Sequence, residues 1–133
     1  MPGSETIILC DTDVFIEAFK NNAETTAFLR RIGFRNIALS IITLMELYFG
    51  ALNKREMTKI KKRIETLKIF EINKDISETA LNLIEKYAKS HGLRIPDSLI
   101  AATSICRGVD LLTYNTKDFR FIKGLKLYAK HSF

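Results

Sequence analysis

The apolar residues of this chain fall into short runs that alternate with longer stretches of helical periodicity. Five short apolar runs predict strands, and they cover residues 6–10, 36–40, 68–72, 110–114 and 125–129. The stretches between them repeat their apolar residues every three or four positions, as amphipathic helices do. Strands that alternate with helices predict a mainly parallel sheet of about five strands flanked by helices. The predicted fold class is therefore α/β, with residues 1–133 in a single domain.

Residues that break helical periodicity mark the predicted helix ends. The candidates are Gly33, Gly50, Asn53, Gly92 and Pro96. Glycine commonly follows the last turn of a helix, whereas proline is favoured in the first turn. The long helical pattern after the second strand is therefore expected to break into two, near Gly50 or Asn53.

The composition is that of a globular protein, with 133 residues of which 47% are hydrophobic and 27% charged. These fractions exclude intrinsic disorder and fibrous repeats. The longest uncharged apolar stretch, residues 37–45, is too short to cross a bilayer. The chain does not start with the basic segment and apolar segment of a secretory signal. We therefore expect a soluble, cytoplasmic protein with no membrane partner.

Cysteine and histidine are too few to carry the chemistry of this chain. Cys10 and Cys106 are far apart and lie among aliphatic residues, which does not fit a disulfide framework or a zinc site. His91 and His131 are the two histidines, fewer than a zinc hydrolase or a His-pair ribonuclease needs. If the protein is an enzyme, we expect carboxylates to perform the reaction.

The positive charge of the chain is concentrated in one helical segment. The net charge is +6, but residues 54–68 alone carry seven basic side chains against two acidic ones. Such a segment fits a surface that binds a polyanion through its phosphates, although a solvated helix face has the same pattern. The candidate nucleic-acid-binding residues are Lys54, Arg55, Lys59, Lys61, Lys62 and Arg63.

Acidic residues follow the predicted strands at the points where a parallel sheet collects its ligands. Asp11 and Asp13 follow the first strand, Glu46 is expected in the first turn of the helix after the second strand, Asp97 begins a helix, and Asp118 follows the fourth strand. The carboxyl ends of parallel strands share one edge of the sheet. Carboxylates that meet there repel one another unless hard cations such as Mg²⁺ or Mn²⁺ neutralise them. Two such ions, about 3.5–4 Å apart, are suited to phosphodiester hydrolysis.

Helix capping offers a structural alternative for each acid. Residues 43–46 and 75–78 both have the sequence of a capping box, in which the acidic side chain bonds the start of its own helix. Residues 115–118 fit a similar turn, and Asp97 suits the positive end of a helix dipole. Each acid alone favours a structural role, whereas their joint placement favours a site.

Four segments together resemble the motifs of the PIN-domain family, in the family's order and over nearly the whole chain. They are IILCDTDV at residues 7–14, SIITLMELYFG at 40–50, PDSLIAAT at 96–103 and LLTYNTKDF at 111–119. The chain is similar in particular to the small VapC-like toxin ribonucleases. The resemblance implies a five-stranded α/β fold and an endoribonuclease that uses one or two Mg²⁺ or Mn²⁺ ions. It also implies a homodimer that a cognate antitoxin protein silences.

The resemblance also implies roles for individual residues. The catalytic and metal-binding set would be Asp11, Glu46, Asp97 and Asp118, supported by the polar residues Thr12, Asp13, Thr113 and Asn115. Asp13 would either aid the metal site or cap the first helix. Tyr114 stands where many members of the family carry arginine. The basic segment would hold the RNA backbone, or line a dimer or antitoxin interface.

Three other readings of the sequence stay open. Residues 11–14, DTDV, also resemble the first motif of haloacid-dehalogenase-like phosphatases, with Asp11 as nucleophile and Asp13 as general acid, but the late acidic motif of that family is missing. A response-regulator receiver fits the length, but no acceptor aspartate ends the third strand. A non-catalytic RNA- or protein-binding module would keep the fold without turnover.

Overall fold

Four parallel strands form the central sheet. The structure is a computed structural model, and it describes residues 6–128. In chain order the strands are β1 (Ile8–Cys10), β2 (Ile37–Ser40), β3 (Lys68–Phe70) and β4 (Asp110–Leu112). Their order across the sheet is β3-β2-β1-β4, and every neighbouring pair is parallel. The predicted α/β class is confirmed.

Six helices cover the sheet and alternate with its strands. They are α1 (Thr12–Phe19), α2 (Ala23–Ile32), α3 (Ile41–Phe49), α4 (Lys54–Ile64), α5 (Lys74–His91) and α6 (Ile95–Arg107). Short 3-10 turns cover Phe34–Asn36 and Thr116–Asp118. The predicted break after the second strand is confirmed, because α3 ends at Phe49 and Asn53 caps α4. In the described part of the chain, no helix is long and apolar enough to cross a membrane.

The strands are shorter than the apolar runs that predicted them, and the fifth is reduced to one bridge. Leu111 pairs with Leu127 in a single parallel bridge, flanked by a bond from the Tyr128 amide to the Leu111 carbonyl. The Leu125 amide bonds back to the Ile122 carbonyl in a turn, so little of the segment is extended beside β4. The end of the predicted strand, residue 129, lies outside the described residues.

The two faces of the sheet bury separate apolar layers. Successive strand residues point to opposite faces, so Ile8 and Cys10 pack into one layer and Leu9 into the other. Side chains of α1 to α4 complete the first layer, and those of α5 and α6 complete the second. This double burial explains why β1, β2 and the end of β4 read as continuous apolar runs.

The strand order creates a crevice beside β1. From β1 the chain adds β2 and then β3 on one side, and only afterwards places β4 on the other side of β1. Connections therefore diverge at the carboxyl ends of β1 and β4, where α/β sheets bind their ligands. The Asp11 amide donates to the Leu112 carbonyl at 2.9 Å, which holds these two ends together.

The capping box predicted at residues 43–46 is wrong. Ser40 caps α3, since its side chain accepts a hydrogen bond from the Ile42 amide at 3.0 Å. The helix thus begins before Thr43, because Ser40 is the last residue of β2 and its short hydroxyl reaches the first turn of α3. Glu46 is the sixth residue of α3 rather than a first-turn residue, and it is free to point away from the backbone.

The other two predicted caps also differ from the structure. Asn73 rather than Asp75 caps α5, and its side chain accepts from the Ile76 amide at 2.9 Å. Asn115 precedes the 3-10 turn Thr116–Asp118 without a side-chain capping bond. Neither Glu46 nor Asp118 therefore has its position explained by capping.

Replacing one core leucine tests the packing of the sheet. We expect Leu39→Ala, at a fully buried position of β2, to lower the free energy of unfolding by about 2–5 kcal/mol because it leaves a cavity. The matched control is Leu81→Ala on α5, whose side chain is 60% exposed and should cost less than about 0.5 kcal/mol. Urea denaturation of both variants gives the comparison, and equal losses would contradict the described core.

Candidate active site

A cavity of about 710 Å³ opens at the carboxyl edge of the sheet. All five acids singled out from the sequence line it, although they come from separate parts of the chain. They are Asp11, Asp13, Glu46, Asp97 and Asp118. The predicted polar supports Thr12 and Asn115 line it as well, whereas Thr113 lies behind it, bonded to Asp11.

Asp11 is held at the centre of this arrangement by two hydrogen bonds. It caps α1, accepting from the Thr12 amide at 2.8 Å through Oδ1. Its Oδ2 accepts from the Thr113 hydroxyl at 2.8 Å, and Thr113 Oγ1 in turn accepts from the Asn115 amide at 3.0 Å. The side chain is buried, with 6% of its surface exposed.

Glu46 is tied to the first helix through Thr12. The Thr12 hydroxyl donates to Glu46 Oε1 at 2.6 Å and lies 3.0 Å from the buried Thr43 hydroxyl. This contact joins the start of α1 to α3, over 34 residues of sequence. It gives Glu46 a defined position on the cavity wall beside Asp11.

Asp13 does not cap α1, so one of its two predicted roles is wrong. Its Oδ2 accepts from the Tyr114 amide at 3.1 Å and lies 3.4 Å from the Thr113 hydroxyl. Its Oδ1 is buried and has no hydrogen-bond partner among the described residues. A buried carboxylate oxygen without a partner is costly, and a cation at the cavity is one way to satisfy it.

Asp97 is paired with a cation that the sequence reasoning missed. The Arg94 Nε donates to Asp97 Oδ2 at 3.4 Å, with 71% of the arginine side chain and 12% of the aspartate side chain exposed. Both residues line the cavity. The signal was present, because Arg94 lies three residues before Asp97 and flanks the helix start.

The pKa of Asp11 is raised to about 7. Burial is the largest cause, and repulsion from Asp13 and Asp97 adds to it, while the hydrogen bonds from Thr113 and Thr12 act against it. Burial also raises the pKa of the neighbouring Cys10 thiol, and the charges of Asp11 and Asp13 add to the increase, so the thiol stays neutral.

Burial raises the pKa of the two neighbouring acids as well. For Asp13 it outweighs the hydrogen bonds from backbone amides. For Asp97 burial outweighs the favourable charge of Arg94, and the charges of Asp118 and Glu46 add to the increase. These acids therefore act on one another electrostatically, and a cation among them would relieve the repulsion.

The residues that line the cavity fit a hard divalent cation in their chemistry. In the described residues, no three His, Cys, Asp or Glu side chains stand close enough together to hold one metal ion. The donors around the cavity are nevertheless oxygens of carboxylates, which Mg²⁺ and Mn²⁺ prefer. A divalent cation would satisfy the Asp13 oxygen that has no hydrogen-bond partner among the described residues, and it would offset the repulsion that Asp13 and Asp97 exert on Asp11.

The predicted nucleic-acid-binding residues all lie on α4, exposed to solvent. Lys59 and Arg63 line a second groove of about 560 Å³, which shares Ile16 and Glu46 with the acidic cavity. The Arg63 guanidinium packs 4.7 Å over the Phe19 ring, so it belongs partly to the fold. The other four, Lys54, Arg55, Lys61 and Lys62, line neither groove.

Comparison with known protein families identifies the family to which this chain belongs. The protein-family model of the PIN domain matches residues 8–125. A comparison with curated protein sequences found no significant match. The chain belongs to the PIN-domain family, and this membership replaces the phosphatase and receiver readings of the sequence.

Solved structures similar to this chain include several toxin–antitoxin complexes. A toxin–antitoxin complex from Klebsiella pneumoniae has 30% identity and a TM-score of 0.77, covering 92% of this chain and 97% of the other. VapBC2 from Rickettsia felis, bound to a DNA fragment from its promoter, has 26% identity and a TM-score of 0.80, covering 92% and 98%. FitAcB from Neisseria gonorrhoeae has 26% identity and a TM-score of 0.76, covering 96% and 100%. The chain is thus a VapC-like member of its family, and PIN domains of this kind are generally nucleases that use divalent metal ions.

The raised pKa of Asp11 predicts a pH-dependent gain in stability for Asp11→Asn. The ordinary pKa of 3.8 rises to about 7 on folding, so the contribution of this one carboxyl to the free energy of unfolding is most favourable below pH 3.8 and is lost as the pH rises through 7. Asparagine removes the charge and still caps a helix. In EDTA at pH 8, we expect a melting temperature about 4 °C or more above the unmodified protein, with a smaller gain at pH 5.

Thermal melts at both pH values give this measurement, with Asp75→Asn in the exposed first turn of α5 as the control. The control should show the same small difference at both pH values. Added Mg²⁺ should raise the melting temperature of the unmodified protein and of Asp75→Asn, but not of Asp11→Asn. The account would be contradicted if, without metal, the melting temperature of Asp11→Asn relative to that of the unmodified protein were lower at pH 8 than at pH 5.

Proposed function

We propose that this chain is a metal-dependent endoribonuclease that hydrolyses RNA phosphodiester bonds, and that it is the toxin of a VapBC-type toxin–antitoxin pair. The observation that carries this proposal is the meeting of carboxylates from four separate segments in one cavity. These segments are the end of β1, the middle of α3, the start of α6 and the turn after β4. The nuclease character of VapC-like PIN domains supports the same conclusion.

Each carboxylate has a proposed role in holding metal ions. Asp11 and Asp97 would hold the principal Mg²⁺ or Mn²⁺, Glu46 would complete its surroundings, and Asp118 would help to hold a second ion. Such ions, when bound, activate water and neutralise charge on the phosphodiester. Asp118 lies on the exposed turn after β4, where an incoming strand can reach it.

The surrounding hydroxyls keep the carboxylates in place. Thr113 fixes one oxygen of Asp11, and Thr12 fixes one oxygen of Glu46. The second oxygen of Asp11 also accepts a hydrogen bond, from the Thr12 amide, so both oxygens of this acid are held in place. In the proposed reaction a water oxygen joins phosphorus and the bond from phosphorus to the 3′ oxygen breaks. The products would be a 5′-phosphate and a 3′-hydroxyl.

The exposed lysines of α4 would hold the RNA backbone. Phosphate contacts need positive charge and no base reading, which suits RNA of any sequence. The groove that contains Lys59 shares Glu46 with the acidic cavity, so a strand lying along α4 can continue into it.

A cognate antitoxin and a second copy of the chain are the proposed protein partners. The similar structure from Klebsiella pneumoniae is a toxin–antitoxin complex, which supports an antitoxin for this chain. Phe49, the last residue of α3, and Leu52, in the loop that follows, are 93% and 84% exposed, as expected of apolar side chains that a partner covers. On α4, the side chains of Ile60 and Ile64 are buried in the core and are therefore not available to a partner.

Cleavage of labelled RNA by Asp97→Asn tests the proposed reaction. Loss of residues that only support a metal ligand costs about 10–100-fold, so loss of a ligand should cost more than about 100-fold. We expect the unmodified protein to cut RNA in Mg²⁺ or Mn²⁺ and not in EDTA, leaving 5′-phosphate ends. Product ends can be identified by their sensitivity to a 5′-phosphate-dependent exonuclease.

Asp75→Asn is the matched control for that experiment. It makes the same chemical change at an exposed aspartate on α5, outside the cavity, and should cut at the unmodified rate. Equal cutting by Asp97→Asn would indicate a contaminating nuclease or a site elsewhere. Binding of RNA without cutting by the unmodified protein would favour the non-catalytic module.

The salt dependence of RNA binding tests the role of α4. For single-stranded RNA, the logarithm of the binding constant falls linearly as the logarithm of the salt concentration rises, with a slope of about 0.7 per phosphate contact. We expect Lys59→Gln with Lys62→Gln to reduce this slope by about 1.4, measured by fluorescence anisotropy between low and moderate salt. The control pair, Lys74→Gln with Lys89→Gln on α5, should leave the slope unchanged. An unchanged slope for the α4 pair would show that RNA does not lie there.

A further inference from the structure

Arg94 is the one basic side chain among the described residues that line the acidic cavity. It comes immediately before α6, next to the apolar residue Ile95, which is 68% exposed. The carboxylates of the cavity attract cations, but an RNA phosphate that reaches them is itself an anion. A cationic side chain at the edge of the cavity would lower the repulsion that such a phosphate meets.

The ion pair of Arg94 with Asp97 holds the guanidinium only weakly. Its single Nε–Oδ2 contact measures 3.4 Å, whereas a strong charge-assisted hydrogen bond measures about 2.7–2.9 Å. The arginine side chain is 71% exposed, and ion pairs in water contribute little to stability. The guanidinium carries further N–H donors in a flat fork that matches the oxygens of a phosphate.

Asp97 is at the same time a proposed metal-binding residue. A divalent cation at Asp97 would supply the positive charge that Arg94 supplies in its absence. The two cations therefore compete for one carboxylate, and the bound metal would release the guanidinium towards the substrate. Arg94 is thus a counter-ion of Asp97 that a bound divalent cation would replace.

Two other polar side chains near the cavity, those of Arg63 and Tyr114, have contacts elsewhere. The Arg63 guanidinium donates to the Ala18 carbonyl at 3.5 Å and packs on the Phe19 ring. The Tyr114 hydroxyl is 2.5 Å from the Thr25 hydroxyl, in a separate pocket. Neither side chain lines the acidic cavity.

We propose that Arg94 binds a phosphate of the RNA at the edge of the acidic cavity, and that its ion pair with Asp97 holds it there until a divalent cation binds that carboxylate. This inference rests on the proposed ribonuclease function. It gives the arginine a substrate-binding role in addition to its contact with α6.

Two binding measurements on Arg94→Gln test the inference without depending on the cleavage rate. The affinity for Mn²⁺ is measured in the absence of RNA, by electron paramagnetic resonance of free Mn²⁺. The affinity for a fluorescein-labelled single-stranded RNA is measured by anisotropy with Ca²⁺ in place of Mg²⁺, and a gel confirms that the RNA stays intact. Arg107→Gln, at the other end of α6 and stacked on Phe70, is the matched control.

We expect Arg94→Gln to bind RNA about tenfold more weakly, the loss of one charge-assisted phosphate contact. Its Mn²⁺ affinity should be equal or higher, because a competitor for Asp97 is removed. Arg94→Lys keeps the charge without the fork and should recover part of the RNA affinity. Arg107→Gln should match the unmodified protein in both measurements.

Two results would overturn the inference. RNA affinity of Arg94→Gln within twofold of the unmodified protein would show that the arginine does not bind phosphate. Weaker Mn²⁺ binding together with a lowered melting temperature would show that Arg94 only supports Asp97. If the unmodified protein neither binds RNA in Ca²⁺ nor cuts it in Mg²⁺, the proposed ribonuclease function itself is wrong. If the unmodified protein binds and cuts RNA and Arg94→Gln binds it equally well, only the inference about Arg94 is wrong.

Discussion

Burial of carboxylates beside one another is the constraint around which this structure is organised. Asp11 lies directly behind the end of β1 with 6% of its surface exposed, and it is close enough to Asp13 and Asp97 for their charges to raise its pKa. Such an arrangement is costly for an apo protein, and the fold meets part of the cost with hydrogen bonds from Thr113 and Thr12. In our proposal, the positive charges of Arg94 and of bound metal ions would offset the remaining repulsion between the carboxylates.

Much of the fold could be predicted because burial on both faces makes strands visible in the sequence. The run from Ile8 to Cys10 is fully buried, and it was predicted in nearly the right place. The ends of strands and the helix caps were harder to predict, because they depend on single side chains. Ser40 is an example, since its hydroxyl caps α3 and the helix therefore begins earlier than the capping-box sequence at residues 43–46 predicts. Within the described residues the predicted fifth strand is reduced to the bridge between Leu111 and Leu127, because the turn from Ile122 to Leu125 takes up the first part of the predicted run.

The meeting of these acids in one cavity could be predicted because parallel strands bring their carboxyl ends to one edge of the sheet. That argument needs residue order and chemistry, and it placed Asp11 and Asp118 with no knowledge of distances. It did not reveal which hydroxyl holds which acid, because the bond from Thr12 to Glu46 spans 34 residues. Arg94 was missed for a related reason. Arg94 lines a cavity whose other charged side chains are all acidic, and this contrast appears only once the cavity is seen.

A crystal structure of the protein soaked in Mn²⁺ tests the central claim most directly. Anomalous scattering locates the ion without assuming its ligands. The account predicts a peak in the acidic cavity, within about 2.5 Å of carboxylate oxygens of Asp11 and Asp97. It also predicts that Arg94 has moved away from Asp97. An ordered Mn²⁺ bound only at other sites, with the cavity acids unliganded at saturating Mn²⁺, would contradict it.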